Sequence, residues 1–133
     1  MLSCMEVRSY QPADEDQVID LWTTCGLVKP QNNPREDILR KLADSPELFL
    51  VGVLDSQVVA TVMAGYEGHR GWINYLAVAP HLQKSGHGRA LMRHAEDLLR
   101  QLGCPKINLQ VRTTNAQVIE FYQRLGFAID DVV

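Results

Sequence analysis

Cysteine is scarce in this 133-residue chain, long apolar runs are missing, and basic side chains are outnumbered by acidic ones. Cys4, Cys25 and Cys104 are odd in number and widely spaced, so they fit neither a disulfide framework nor a metal-ligand pattern and read as buried or incidental thiols. No window has the length and apolarity of a membrane span, and Glu6 and Arg8 stand where a secretory leader would be apolar; a cytoplasmic protein is expected. Thirteen basic against 16 acidic residues leave a net charge of −3, which argues against a dominant nucleic-acid surface while leaving a local patch open. His81, His87 and His94 have no nearby carboxylate or cysteine to complete a ligand set, so no metal site is expected. Linkers, internal repeats and low-complexity tracts are also missing.

What is present is 46% hydrophobic and 22% charged, enough to bury a core without covalent staples. A globule of this length has a radius of gyration of roughly 14 Å and buries about two-thirds of its unfolded surface. One domain over residues 1–133 is expected.

Residues 5–10 alternate weakly, as a short strand would. Asp14 and Gln17 have capping-box spacing ahead of a stripe of Val18, Leu21, Trp22 and Cys25, closed by Gly26. Asn33, Pro34 and Glu36 start a second helix with Ile38, Leu39 and Leu42 as its apolar face. Residues 48–54 and 58–66 form a hairpin around Asp55 and Ser56. A fourth strand spans 72–79, with Trp72, Asn74, Leu76 and Val78 on one face and Ile73, Tyr75, Ala77 and Ala79 on the other. Since both faces are largely apolar, this strand should lie inside the sheet with helices on both sides. From Gly88 the period becomes helical, with Leu91, Met92, Ala95, Leu98, Leu99 and Leu102 as the stripe. A fifth strand follows at 107–111. Thr114 and Gln117 then cap a last helix carrying Val118, Phe121, Tyr122 and Leu125, and 127–133 fits a sixth strand. This order describes an α/β fold with a mixed sheet.

The segment Gln83-Lys84-Ser85-Gly86-His87-Gly88-Arg89 lies between an apolar strand and an amphipathic helix. Glycines here permit close backbone approach, and the helix start adds unpaired amides and its dipole, which together suit a diphosphate. Between His81 and Arg100 four basic residues stand against two acidic ones, a local reversal of the chain's sign. Taken alone, the loop also fits a glycine-rich turn with a solvated basic helix face. Neither the Walker loop nor the dinucleotide fingerprint is matched.

Leu76 to Pro80 followed by Gln83-Lys84-Ser85-Gly86-His87-Gly88 resembles the first signature motif of the GNAT family of N-acetyltransferases. Asn115 with Phe121-Tyr122-Gln123-Arg124-Leu125-Gly126-Phe127 resembles the second, and the likeness runs over nearly the whole chain. Gly68-His69-Arg70-Gly71 and Gly103-Cys104-Pro105-Lys106 are similar to a small bacterial subgroup credited with the same activity.

The resemblance implies a GNAT-like acyl-CoA N-acyltransferase fold: a mostly antiparallel sheet of about six strands, flanked by four helices and splayed between the fourth and fifth strands. Acetyl-CoA would be the acyl donor. Its pyrophosphate would lie on the amides of Lys84, Gly86 and Gly88, with Gln83, Ser85, His87 and Arg89 completing that wall. Its pantetheine arm would run between the backbone of Leu76 and Val78 and the side chain of Asn115. Tyr122 occupies the general-acid position, and an amide near Val78 would polarise the thioester. A tyrosine hydroxyl with a free pKa near 10 is a workable donor to a thiolate near 8.5, although Tyr122 also fits simple ring packing.

At the position where many relatives carry a glutamate this chain has Trp72, and Asn74 is no base either. Glu67 and His69 are the remaining candidates, acting directly or through water; a water chain or a low-pKa acceptor would remove the need for a base. The resemblance places Trp22 and residues 27–33 on the acceptor side, with Tyr66 and Tyr75 as walls, although Trp22 also fits the helix stripe. Only residues 130–133 follow Ala128 and Ile129, so the family's usual seventh strand is expected to be missing, through truncation or because a partner covers the edge; a homodimer is the expectation. The leading function is N-acetyl transfer from acetyl-CoA to a primary amine of a small molecule or protein. The alternatives are a catalytically weak acyl-CoA-binding or regulatory module and a nonenzymatic interaction domain.

Overall fold

The computed structural model describes residues 4–111 and 114–129. The elements run β1 (Glu6–Ser9), α1 (Glu15–Thr24), α2 (Pro34–Asp44), β2 (Phe49–Leu54), β3 (Gln57–Tyr66), β4 (Gly71–Val78), α3 (His87–Gln101), β5 (Ile107–Leu109) and α4 (Ala116–Arg124). The sheet has five strands in the order β1-β2-β3-β4-β5, antiparallel except for the parallel β4–β5 pair. A sixth strand is not formed at 127–129, and the rest of that expected strand lies outside the described residues. Among the described residues no helix is long and apolar enough to cross a membrane.

Several helix starts differ from the expected pattern because a side chain found a better partner. Asp14 caps backwards, accepting the Gln11 amide at 2.8 Å while Arg8 grips both its oxygens at 2.8 and 2.9 Å. Gln17 instead accepts the Val58 amide at 2.8 Å, which ties α1 to β3. Asn33 caps α2 as expected, accepting from Arg35 and Glu36 at 3.1 and 3.3 Å. The α2 stripe is narrower than expected: Ile38 is buried, but Leu39, a 100° step away, is 65% exposed. At α4 the cap is Asn115, not Thr114, with Oδ1 accepting the Val118 amide at 3.4 Å.

Period-2 alternation sends Leu50, Ala60, Val62 and Ala64 toward α3 and α4, and Phe49, Val51, Val59 and Met63 toward α1 and α2. The hairpin turn uses Asp55 and Ser56 at φ 50° and 65°, the double left-handed pair that matches strand twist.

In β4 the alternation breaks. Thr61 pairs with Ala77 and Met63 with Asn74, so Tyr75 and Leu76 together oppose Val62. This is a β-bulge, with Tyr75 at φ 52°. Its consequence is that Ile73, Leu76 and Val78 face the α3 side, while Tyr75 and Ala77 face α1. The single-face grouping of Trp72, Asn74, Leu76 and Val78 is therefore corrected. Helices do cover both faces of the strand, as its apolar content predicts.

Candidate active site

The β4–β5 ladder pairs Gly71 with Ile107, Trp72 with Asn108 and Ile73 with Leu109, then stops. From Asn74 to Val78 the strand has no β5 partner, so a gap opens along its edge where the bulge begins. Two fully buried side chains hold the bulge. Thr61 Oγ1 donates to the Tyr75 carbonyl at 2.8 Å and accepts from Trp22 Nε1 at 2.9 Å. The Trp22 ring also stacks on Tyr75, centroids 3.8 Å apart. Trp22 is thus a core residue that shapes the site from beneath and not a wall.

At the far end of β4 the chain turns into α3 through Lys84 at φ 64° and Gly86 at φ 87°, the α3 N-cap. The first α3 amide that bonds back is Ala90, to the Gly86 carbonyl at 3.0 Å. The amides ahead of it are the orphan donors of a helix start, and they carry the positive end of the dipole. A Cβ built on Gly86 would meet nothing within 4 Å, so the space over these donors is open. A Cβ on Gly88 would lie 3.3 Å from Phe121 and 3.4 Å from Val78; this glycine holds the helix mouth close to β4 and α4. Lys84, Ser85 and Arg89 are exposed around the mouth, and His87 is half-buried. Gln83 is exposed as well, its side-chain amide donating to the Val78 carbonyl at 3.0 Å. An open glycine cradle with unpaired donors fits a diphosphate.

Tyr122 is buried in the cluster that also takes in Leu76 and Val78, edge-on to Phe121 and Phe127. Burial pushes its hydroxyl up to about 12, which keeps it protonated. Asn115 is exposed at the start of α4 and uses its oxygen as a cap, leaving its amide hydrogens available. Glu67 and His69 lie in the β3–β4 turn, both exposed, with the Glu67 carboxylate accepting the Arg70 amide at 2.6 Å. From Arg70 to Tyr75 the strand climbs about 16 Å at ~3.3 Å per residue, so this turn is not brought to the gap.

Residues 15–127 match the Acetyltransferase (GNAT) family. The chain belongs to that family. An acetyltransferase of Yersinia enterocolitica is 43% identical over 129 residues, covering 97% of this chain and 92% of the relative. One of Sodalis glossinidius is 44% identical over 97% of this chain and 91% of its own. Among solved structures, PaiA N-acetyltransferase of Thermoplasma acidophilum, in complex with coenzyme A, superposes with a TM-score of 0.83 at 21% identity, covering 98% and 93% of the two chains. Ard1 of Thermoplasma volcanium gives 0.81 at 24%, covering 96% and 84%. At that identity these two share the fold. By family this GNAT protein is an acetyl-CoA-dependent N-acetyltransferase.

On the α1 and α2 side of β4 the acetyltransferase carries an open cleft of about 640 Å³. Leu27, Asn32 and Tyr75 line it as the acceptor-side expectation requires. Tyr66 does not; its hydroxyl bonds the Gly68 and Gly103 carbonyls at 3.2 and 3.4 Å. Asp37, Arg40, Lys41, Asp44 and Asn74 also line the cleft; the four charged residues carry no sequence signal, because charge on a short helix looks like a solvated face.

Proposed function

We propose that this acetyltransferase moves the acetyl group directly to a primary amine of a small molecule or protein. The observation that carries the reading is the opening of the β4–β5 ladder after Ile73, flanked by the glycine cradle at one end and the Tyr75 bulge at the other. Bound acetyl-CoA supplies a thioester whose carbonyl carbon is open to an amine and whose sulfur departs as a thiolate. Amides between Lys84 and Arg89 hold the diphosphate, with Lys84 and Arg89 adding charge. The β4 edge at Leu76 and Val78, which has no β5 partner, and the Asn115 amide align the pantetheine arm. Gln83 acts through Val78, holding the strand end against the helix mouth.

Tyr122 gives its proton to the leaving sulfur. With its pKa pushed up to about 12 the hydroxyl is neutral across physiological pH, and the donor is lost only as pH rises toward that value. Glu67 and His69 are assigned no contact with the reacting atoms, and the proton released by the acceptor nitrogen passes to water.

Tyr122→Phe keeps the ring and removes the proton. Turnover at the chemical step is expected to fall about 100-fold with acetyl-CoA affinity unchanged, read by single-turnover kinetics and calorimetry. Unchanged single-turnover rates would remove Tyr122 from the acid role.

Trp72 at the usual acid position favours a second reading, a module that binds acyl-CoA and turns it over weakly. Tight acetyl-CoA binding without CoA release across a broad amine panel would select it. The cytoplasmic setting and the homodimer expected above belong to the proposal as well; a monomeric mass across micromolar concentrations would remove the dimer.

A further inference from the structure

We propose that the cleft beside the bulge receives a zwitterionic amine, its ammonium held by Asp37 and Tyr75 and its anionic group by Lys41. The inference rests on the transfer reading above and narrows its acceptor.

The volume of about 640 Å³ lies in the range of small-molecule sites. Its floor, Asn74 and Tyr75, is the stretch of β4 where the gap begins. Asp37, half-buried on α2, accepts the Tyr75 hydroxyl on Oδ2 at 2.5 Å. Arg40 pairs with its Oδ1 but is 68% exposed and also lies 4.0 Å from Glu36. Such an exposed ion pair is weak and yields to a better-placed cation. An ammonium that replaces Arg40 would stand at the mouth of the gap, touching the residue whose backbone forms the bulge.

Lys41 is the opposite pole, one helical turn along the same face of α2. Its ammonium reaches over β3, donating to the Ala64 carbonyl and to Ser45 Oγ. A Cβ on Gly65 would lie 3.7 Å from Nζ, and Gly65 pairs with Trp72. A cation therefore stands across from position 72, the position at which the family resemblance places an acid. Among the described residues no carboxylate lies within ion-pair distance of Lys41: Asp44, in the same cleft, reaches it through Ser45 Oγ, which donates to Asp44 Oδ2 at 2.8 Å, and burial outweighs the pull of Asp44 and Glu47, drawing the ammonium below the ordinary lysine range. A half-buried cation with a spare N–H and no direct ion pair, lining an open cleft, favours an anionic ligand group. A polyamine would set a second positive charge against it, and a plain alkylamine would leave its spare N–H without a partner.

The test pairs the free amino acids with their methyl esters as probes. Binding to the CoA-loaded protein is followed by calorimetry, and acetyl transfer by CoA release, in wild type, Lys41→Met and Asp37→Asn. At least one free acid is expected to bind and react at least about 10-fold better than its ester. Lys41→Met should bring the two to parity, and Asp37→Asn should weaken both, with acetyl-CoA affinity unaltered in each variant. Esters equal to acids in wild type, or a preference that survives Lys41→Met, would overturn this inference while transfer to amines stands. Acid binding that Lys41→Met abolishes, with no CoA released from any probe, would support the acceptor site and overturn the transfer reading.

Discussion

Gly86→Asp is expected to lower acetyl-CoA affinity by about 100-fold or more, near 3 kcal/mol, because it sets a negative charge among the donors that hold the diphosphate. The residue is the α3 N-cap at φ 87°, a conformation that disfavours L side chains, and the space beyond its Cα is open. Backbone strain there costs about 1 kcal/mol, so the fold should survive and the loss should be read in binding. Gly86→Asn separates the two effects, since asparagine tolerates the left-handed region and carries no charge. Its affinity is expected to fall about tenfold or less, the strain-sized part of the loss. Calorimetric titration of both variants with acetyl-CoA decides the matter. Aspartate binding like asparagine would mean that no phosphate sits at this helix mouth.

Thr61→Val is expected to destabilise the protein by about 2–3 kcal/mol although the two side chains have nearly the same shape. The change strands the Tyr75 carbonyl and the Trp22 indole N–H, each bonded to Thr61 Oγ1 at 2.8 and 2.9 Å. A buried polar group left unpaired costs about 1–3 kcal/mol, and valine's better strand propensity returns only a few tenths of that. A fall in Tm of about 10 °C is the corresponding thermal signature. Turnover should fall as well, since the bulge that opens the β4 edge loses its fixed partner. Thr61→Ser keeps the hydroxyl and gives up one methyl group, so it should lose about 1 kcal/mol and retain activity. Equal damage from serine and valine would show that packing, and not the hydrogen-bond pair, holds the bulge.

Much of this arrangement could be read from the chain because local chemistry was strong there. Asn33 and Pro34 fix the start of α2, and the α3 stripe of Leu91, Met92, Ala95 and Leu99 is buried as its period requires. Gly86 and Gly88 announced the cradle. The bulge had no such signal, because Tyr75 adopts a positive φ without a glycine to mark it, held by Thr61 and Trp22 from distant parts of the chain. That one extra residue moved Leu76 and Val78 to the face opposite the one alternation gives. Asp14 and Gln17 kept cap spacing but spent their side chains on Gln11 and Val58, contacts that no periodicity contains. Asp37 and Lys41 were illegible for a similar reason: the sheet surface that turns a charged helix face into a cleft comes from β3 and β4.

A heteronuclear NMR titration of the wild-type protein with acetyl-CoA tests the central claim most directly. The largest amide shifts are expected at Lys84 to Ala90 and at Tyr75 to Val78, leaving the turn at Glu67 to Arg70 nearly unmoved. Saturable binding that shifts other amides while both of those stretches stay still would contradict it.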